Sequence, residues 1–326
     1  METLFLTRGV RLSRKDNTIS IYCPTQKIRR AVPVETLKQI VVAGVTDLNS
    51  DLITFLGKAG VRVSFLDYYG YFSGSLEPAN PHASGKVHLK QAEKILNLET
   101  RLSVARLLIM AGLKNCVNNL KYYQYRGNTQ LSDWIQGMEH ALTQIESAKT
   151  PEILMGYEGQ ARQYYYAAWG EIDPRLNITK RTRRPPGDAI NALISFLNSL
   201  VYVTCRHELS KTHLDVTLSF VHSPQQVRAS LALDLAEVFK PVLTDRLIFK
   251  LIRKRQITEA DFEQHAGACL LTEKGRRLVL EAFSEQLDQQ RLGDLVGYKQ
   301  LILREAFKIE AHVLDMKPYE AYLQRN

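Results

Sequence analysis

Short apolar runs with alternating or β-branched residues dominate the first 75 residues of the chain. Six of them predict strands: ETLFLT, VRLSRKD, TISIYC, KIRRAVP, LKQIVVAG and VRVSFLD. One segment, SDLITFLGKAG, instead has the helical spacing of Leu52, Phe55 and Leu56 with a glycine at its end, which predicts a short helix. We therefore expect a small β-sandwich, or a partly open sheet, of about seven strands.

The pattern changes near residue 70. YYGYFSGSLEPANPHASGKV is rich in Gly, Pro and Ser, which is typical of a linker or an ordered crossover. From Leu89 onward apolar residues recur with helical spacing, and Pro151 is well placed at a helix start. The residues from Thr258 onward read as further short helices. The prediction is an α+β chain, with a β-rich N-terminal domain over 1–80 and a larger all-α domain over 81–326.

Composition narrows the class of protein. The chain has 326 residues, enough for about two domains, and its net charge of +9 favours a polyanionic partner. Its four cysteines have no CxxC spacing, which predicts reduced thiols in a cytoplasmic protein and no zinc site. We find no apolar stretch long enough to span a bilayer, so we expect no membrane partner.

Two acids lie within an otherwise apolar run, LALDLAEVFKP. Asp234 and Glu237 are three residues apart on the predicted helix, so like charges occupy neighbouring faces, and burying them without a partner is costly. A cation would resolve both problems, and His222 is a plausible third ligand. The alternative is a buried helix with two solvated acids. Pro241 removes a backbone donor, so a kink or stop is expected there.

Spacing limits how these three residues can meet. On one straight helix from Ser223, His222 and Glu237 would lie roughly 20 Å apart. Shared ligation therefore requires residues 223–229 to form a loop that folds back. Ser230 then becomes the expected N-cap of the carboxylate helix, which places Asp234 near the positive end of that helix.

A third acid, Glu158, lies between Gly156 and Gly159 in MGYEGQAR. Glycine inside a helix costs roughly 1 kcal/mol relative to alanine, so this pair requires an explanation. The glycines would allow close approach of a ligand backbone or a partner helix. The alternative is a helix crossing in which Glu158 pairs with Arg162 one turn later.

Basic and aromatic clusters are the candidates for nucleic-acid contacts. ITKRTRRPPGD contains Lys180, Arg181, Arg183 and Arg184, followed by Asp188 as a good N-cap. Such clusters can neutralise phosphates, or simply form a solvated face. Tyrosines at 122, 123, 125 and 164–166 could stack on bases, although such spacing more often indicates helix–helix packing.

Three segments together are similar to one known family. GYEGQARQYYYAAW, TRRPPGDAINALISF and LSFVHSPQQVRASLALDLAEVFKPVLTDR occur in this order and resemble the CRISPR-associated endonuclease/integrase, the universal catalytic protein of spacer acquisition. The resemblance covers essentially the whole chain. One departure is Ser219 before Phe220-Val221, where the family often has a glycine and a different apolar pair.

The resemblance implies a metal-dependent DNA endonuclease/integrase that inserts short fragments into a CRISPR repeat array by phosphodiester transesterification. It implies that Glu158, His222 and Glu237 hold a divalent ion and that Asp234 is an auxiliary catalytic acid. Two carboxylates and an imidazole suit Mg²⁺ or Mn²⁺. Lys and Arg near the site, including Arg246, would contact double-stranded DNA.

The same resemblance implies an N-terminal β-sandwich, a helical catalytic domain, a homodimer and a small dimeric CRISPR-associated partner. A basic, non-catalytic DNA-binding scaffold of the same adaptation complex is the alternative function. An RNA-binding protein ranks last, because the N-terminal strands carry no RNP-like aromatic pattern.

Overall fold

The computed structural model describes residues 3–7, 9–78, 82–223, 229–289 and 296–324. The first part of the described chain is built mainly from strands. Its elements are β1 (Thr3–Thr7), β2 (Val10–Lys15), β3 (Thr18–Cys23), β4 (Ile28–Pro33), β5 (Gln39–Ala43), β6 (Thr46–Asp47), α1 (Ser50–Lys58), β7 (Arg62–Leu66) and β8 (Phe72–Leu76).

Helices and one hairpin make up the remainder. They are α2 (Gly85–Leu96), α3 (Leu98–Tyr125), α4 (Leu131–Ser147), α5 (Pro151–Ala167), α6 (Trp169–Ile172), α7 (Ala189–Leu209), α8 (Ser230–Lys240), α9 (Arg246–Arg253), β9 (Phe262–His265), β10 (Ala268–Leu271), α10 (Glu273–Asp288) and α11 (Tyr298–Val313). Pro151 occupies the first turn of α5, and the Asp188 side chain caps α7, as predicted.

One sheet joins the strand-rich part to the helices. Its order is β1-β5-β7-β8, with β1, β5 and β7 parallel and β8 antiparallel to β7. Every residue of β5 is buried, because Ile40 and Val42 pack into a core with the second sheet while Val41 and Ala43 pack against the helices. Burial on both faces explains why β5 is an unbroken apolar run.

The second sheet has the order β4-β3-β2-β6. Leu12 on β2 and Ile19 on β3 bury their side chains in the same apolar cluster as Ile40 and Val42, and Leu52 of α1 joins them. The two sheets and the helix thus share one core.

Two expectations are wrong in detail, although the mixed α+β class is confirmed. The predicted linker contains β8, which pairs with β7. The second part is not all-α, because β9 and β10 form an antiparallel hairpin. Ala266 and Gly267, both with positive φ, make the two-residue turn that such hairpins favour. The boundary near residue 80 stays a prediction.

The expectation that no apolar stretch is long enough to span a bilayer is also wrong, judged by the length and composition of the helices. Among the described residues, Ala189–Leu209 has 21 residues and is apolar enough, yet 83% of its most apolar window is buried inside the protein. This helix is α7, and it lies in the middle of the larger core.

Candidate metal centre

The loop before α8 wraps around the carboxylate of Asp234. Oδ2 accepts hydrogen bonds from the backbone N–H groups of Phe220 (2.7 Å) and Val221 (2.9 Å). Oδ1 accepts from the backbone N–H of His222 (3.1 Å) and lies 2.7 Å from its Nδ1. The loop therefore folds back onto α8, as the spacing required, although residues 224–228 lie outside the described part of the chain.

The contact between His222 and Asp234 suits one tautomer of the neutral imidazole. A carboxylate that accepts three backbone N–H groups is complementary to an Nδ1–H donor, and a neutral ring protonated there has its lone pair on Nε2. Proteins orient metal-binding histidines by such carboxylate pairs. Asp234 is fully buried and already accepts four hydrogen bonds. This geometry favours a role in positioning His222 over the role of auxiliary catalytic acid that the family resemblance implied.

Two serines hold the same loop. The prediction of Ser230 as the N-cap of α8 is wrong, because Ser230 is the first helical residue and its hydroxyl donates to the carbonyl of Thr217 (2.6 Å). Ser219, at which the sequence departs from the family pattern, is buried, and its hydroxyl donates a hydrogen bond to the carbonyl of His222.

Glu158 on α5 and Glu237 on α8 converge on one guanidinium. Arg162 Nε donates to Glu158 Oε1 (2.9 Å) and Nη2 donates to Glu237 Oε2 (3.0 Å). Lys240 forms a second ion pair with Glu237 Oε1. Burial raises the pKa of Glu237, but Lys240 and Arg162 outweigh it and lower that pKa to about 2, with a smaller contribution from His222. Glu237 is therefore ionised at neutral pH.

The glycines beside Glu158 do not form a helix crossing. A Cβ at Gly156 or Gly159 would meet no atom within 4 Å in the described structure, whereas the Glu158–Arg162 pairing of that alternative is present. The close approach occurs at Gly112 of α3 instead, where a Cβ would lie 2.7 Å from the carbonyl oxygen of Glu237.

Pro241 changes the helix as predicted. The α-helical hydrogen bonding of α8 ends at Lys240 and continues as one π-helical turn over Pro241–Asp245. Proline has no N–H to offer the carbonyl of Glu237, and that oxygen lies 3.4 Å from Nη2 of Arg162. One arginine thus contacts both the carboxylate and the carbonyl of Glu237.

Two asparagines of α3, one turn apart, donate hydrogen bonds to the backbone at and just before the π-helical turn. Asn115 Nδ2 donates to the carbonyl of Val238 (3.1 Å), and Asn119 Nδ2 donates to the carbonyl of Pro241 (2.9 Å). Both are buried. Asn119 thus adds a side-chain donor to a carbonyl that also accepts the backbone N–H of Arg246, at the end of the π-helical turn.

The C-terminal segment packs against the back of α8. The ring of Tyr322 stacks on that of Phe239, with centroids 5.3 Å apart, and the backbone N–H of Gln324 donates to Asn115 Oδ1 (2.9 Å). The Tyr319 hydroxyl donates to Glu305 Oε1 (2.6 Å). The last described residues therefore stabilise the helix that carries Glu237.

A further buried acid lies below the ligand set. Asp245 ends the π-helical turn and is almost fully buried. Burial raises its pKa to about 7, although Arg162 and a hydrogen bond from Tyr165 oppose the rise. Its Oδ2 has no hydrogen-bond partner among the described residues.

The donor set is chemically suited to a hard divalent ion. Glu158 and Glu237 supply carboxylates, and His222 supplies a free Nε2. Within the described residues, however, no three His, Cys, Asp or Glu side chains are grouped closely enough to bind one ion as they stand. Coordination of one ion by Glu158, His222 and Glu237 therefore requires rotation of these side chains. Arg162 would also have to release the two glutamates or share them with the ion.

The predicted nucleic-acid contacts divide into two groups. Lys180, Arg183 and Arg184 are exposed, and Arg184 also lies over the ring of Tyr71. Arg181 is half-buried and donates to Asn191 Oδ1 (2.7 Å) and to Ser195 Oγ on α7, so it holds its own loop in place.

Arg246 begins α9 next to the site. It is half-buried, donates to Asn119 Oδ1 (2.6 Å) and lies over the ring of Tyr122. The tyrosines serve mostly in packing: Tyr165 is fully buried against Trp169. Tyr125 and Tyr122, at the end of α3, are exposed.

Comparison with known proteins identifies the family of the chain. The family model described as CRISPR associated protein Cas1 matches residues 4–285. The chain belongs to the Cas1 family. A CRISPR-associated endonuclease Cas1 of Thermodesulfovibrio yellowstonii is 36% identical over 328 residues, covering 99% of this chain and 98% of the relative. The Cas1 endonuclease of Pyrococcus horikoshii is 35% identical, covering 95% and 94%.

Solved Cas1 structures have the same fold. A Cas1 protein from Thermotoga maritima matches with a TM-score of 0.89 and 34% identity, over 98% of this chain and 100% of that one. A casposase bound to its integration product matches with a TM-score of 0.82 over 100% and 96%, but its 20% identity shows similarity of fold alone.

Sequence reasoning missed the residues that support the Cas1 site. Asn115 and Gly112 lie on α3, more than a hundred residues before the helix that they contact, and the contact of Arg162 with Glu237 spans 75 residues. The available signal was polar and glycine residues within the apolar segment LLIMAGLKNCVNNL.

Proposed function

We propose that this Cas1 chain is a divalent-metal-dependent DNA endonuclease and integrase that inserts short DNA fragments into a CRISPR repeat array by phosphodiester transesterification. The supporting observation is the convergence of Glu158 and Glu237 on one cation beside a histidine whose Nδ1 is held by Asp234. The names of its relatives, endonucleases, and the fold shared with an integration-product complex support the reaction class.

The chain's own residues then have distinct roles. Glu158, His222 and Glu237 would hold Mg²⁺ or Mn²⁺, with Asp234 orienting the imidazole. A bound ion supplies Lewis acidity toward the phosphodiester oxygens. The nucleophile is the 3′-OH of an incoming fragment in integration, and water in nuclease action.

The DNA contacts are proposed from charge and exposure. Lys180, Arg183, Arg184 and Arg246 would neutralise phosphates of double-stranded DNA, which makes affinity strongly salt-dependent. Arg181 would shape the loop that presents them. We further propose that the protein is a cytoplasmic homodimer formed largely through its N-terminal domains, and that the two sheets of each N-terminal domain form a sandwich. Solved complexes of other Cas1-containing chains include Cas2, which supports a small partner of that kind.

Strand transfer of a short duplex into a supercoiled, repeat-bearing plasmid tests the proposal. With the small partner and Mn²⁺ or Mg²⁺, we expect wild type to join the fragment, and His222→Ala and Glu237→Ala to bind DNA without joining it. His213→Ala is the matched control, because His213 also pairs with a buried carboxylate, Glu310 (2.6 Å), which is not one of the proposed ligands.

Two outcomes contradict the assignment in different ways. If both site variants join DNA as well as wild type, these residues do not perform the chemistry. If wild type binds DNA but neither cuts nor joins it with either metal, the chain is a basic DNA-binding scaffold.

A further inference from the structure

Arg162 occupies the gap between the two acidic ligands. The residue is 8% exposed, and its donors are directed to Glu158 Oε1, Glu237 Oε2, the Glu237 carbonyl and Cys116 Sγ. The planar guanidinium suits this task, because its N–H groups point in fixed, diverging directions. Among the described residues, Arg162 is the side chain that forms ion pairs with both glutamates.

We propose that Arg162 is a built-in counter-cation that competes with the divalent metal for Glu158 and Glu237, so that metal entry displaces its guanidinium from the acid pair. This inference rests on the proposed function, since it concerns the same ligands. It goes beyond that function by assigning the control of metal affinity to a residue that is not a ligand.

Charge balance is the first argument. Arg162 and Lys240 place two positive charges against the two carboxylates, so the acid pair exerts little net attraction on an incoming dication. Three of the four carboxylate oxygens already accept hydrogen bonds from these cations. A metal can take up those lone pairs only as the cations give them up.

The structure also offers the displaced guanidinium another partner. Asp245 is buried, its Oδ2 has no hydrogen-bond partner among the described residues, and Arg162 is the cation that acts on it most strongly. Moving from Glu158 and Glu237 toward Asp245 would keep the buried charge of Arg162 compensated. Without such a partner, displacement would leave an unpaired buried cation, which is costly.

Mn²⁺ titration of the intact chain by calorimetry, with thermal melting in parallel, tests this. For Arg162→Gln we expect Mn²⁺ to bind about tenfold more tightly or better, since a charge within a few ångströms shifts an ionic equilibrium by about one to three powers of ten. We also expect a lower Tm without Mn²⁺ and a larger rise in Tm on adding it. Asp245→Asn should bind Mn²⁺ several-fold more weakly.

Arg62→Gln is the matched control. Arg62 is equally buried, pairs with Glu77 (2.5 Å) and donates to the carbonyl of Arg206 (2.7 Å), far along the chain from the ligands. It should lower Tm by a similar amount with and without Mn²⁺, with an unchanged Kd. Arg162→Lys adds a second measurement in case the glutamine variant does not fold: one ammonium bridges the acids poorly, so we expect tighter Mn²⁺ binding than in wild type.

The results separate this inference from the proposed function. If wild type binds Mn²⁺ and the Arg162 variants bind it equally or more weakly, Arg162 only positions the glutamates and competition is wrong. If Asp245→Asn binds Mn²⁺ as wild type does, the proposed second position of Arg162 is wrong. If neither wild type nor any variant binds Mn²⁺, the proposed metal-dependent function fails as well.

Discussion

Asp234→Asn should be one of the most destabilising conservative substitutions in this chain. The carboxylate accepts two hydrogen bonds on each oxygen, three from backbone N–H groups and one from His222 Nδ1. An amide replaces one acceptor oxygen with a donor. If the NH₂ group takes the Oδ2 position, the backbone N–H groups of Phe220 and Val221 both lose their acceptor. If it takes the Oδ1 position, the backbone N–H of His222 loses its acceptor, and the ring keeps a partner only by moving its proton to Nε2.

The cost follows from that geometry. A buried donor left unpaired costs about 1–3 kcal/mol, so the loss of one or two of them costs about 1–6 kcal/mol. A domain is typically stable by only about 5–15 kcal/mol, so the variant should unfold at a clearly lower urea concentration. If the variant folds, Mn²⁺ affinity should also fall about 10- to 100-fold, because the His222 ring loses its orienting partner.

Urea unfolding followed by circular dichroism measures the first effect, and calorimetric Mn²⁺ titration the second. Asp215→Asn is the control: Asp215 accepts from the N–H and hydroxyl of Thr217 in the same loop, but at the surface, and should cost less than about 1 kcal/mol. An Asp234→Asn free energy of unfolding within about 0.5 kcal/mol of wild type, at an unchanged m value, would refute the reasoning.

Three further predictions concern the surroundings of the site. Gly112→Ala should lower the free energy of unfolding, measured in urea, by about 1–3 kcal/mol, because its Cβ would lie 2.7 Å from the carbonyl oxygen of Glu237. The control is Gly159→Ala, whose Cβ would meet no atom within 4 Å among the described residues and which should be neutral or stabilising. Equal effects of the two substitutions would contradict the close approach at Gly112. The pKa of Glu237 is lowered from 4.5 to about 2, so the ionised side chain stabilises the fold above pH 4.5 and this stability is lost as the pH falls from 4.5 to about 2. The pKa of Asp245 is raised from 3.8 to about 7, so the protonated side chain stabilises the fold at low pH and this stability is lost as the pH rises toward 7. Asp245→Asn should therefore abolish the decline between about pH 4 and 7 in unfolding free energies measured across pH, and a persisting decline would assign it to another group. Tyr322→Ala should lower the free energy of unfolding by about 2–4 kcal/mol through loss of its packing on Phe239, and an unchanged urea midpoint would show that the C-terminal segment does not stabilise α8.

Local signals could be predicted from the sequence because their physics acts within a turn or two. Pro151 starts a helix, Asp188 caps one and Pro241 ends regular α-helical hydrogen bonding, all as expected. The fold-back of the His222 loop was predicted only on the condition that His222 and Glu237 share one metal, because on a straight helix the rise per residue would keep them apart.

Features that depend on distant residues could not be predicted in this way. The hairpin β9–β10 has only four residues in each strand, too few for a periodic signal, and β8 has Gly and Ser among its residues. At the site, spacing indicates that Arg162 can reach Glu158 at i+4. Nothing local indicates that the same guanidinium also reaches Glu237, because tertiary packing of α5 against its neighbours brings them together.

Strand β5 is buried on both faces, one against the second sheet and the other against the helices. The strand-rich part of one chain therefore cannot simply be exchanged for that of another. Val41 and Ala43 belong to the helical core, and the side chains of Gln39 and Arg62 donate to backbone carbonyls of α7. Expressed alone, the helical part would present to water the apolar surface that this sheet covers. Recombination between Cas1 chains should therefore tolerate a crossover near residue 80 only when both halves come from relatives whose sheet and helix surfaces have changed together.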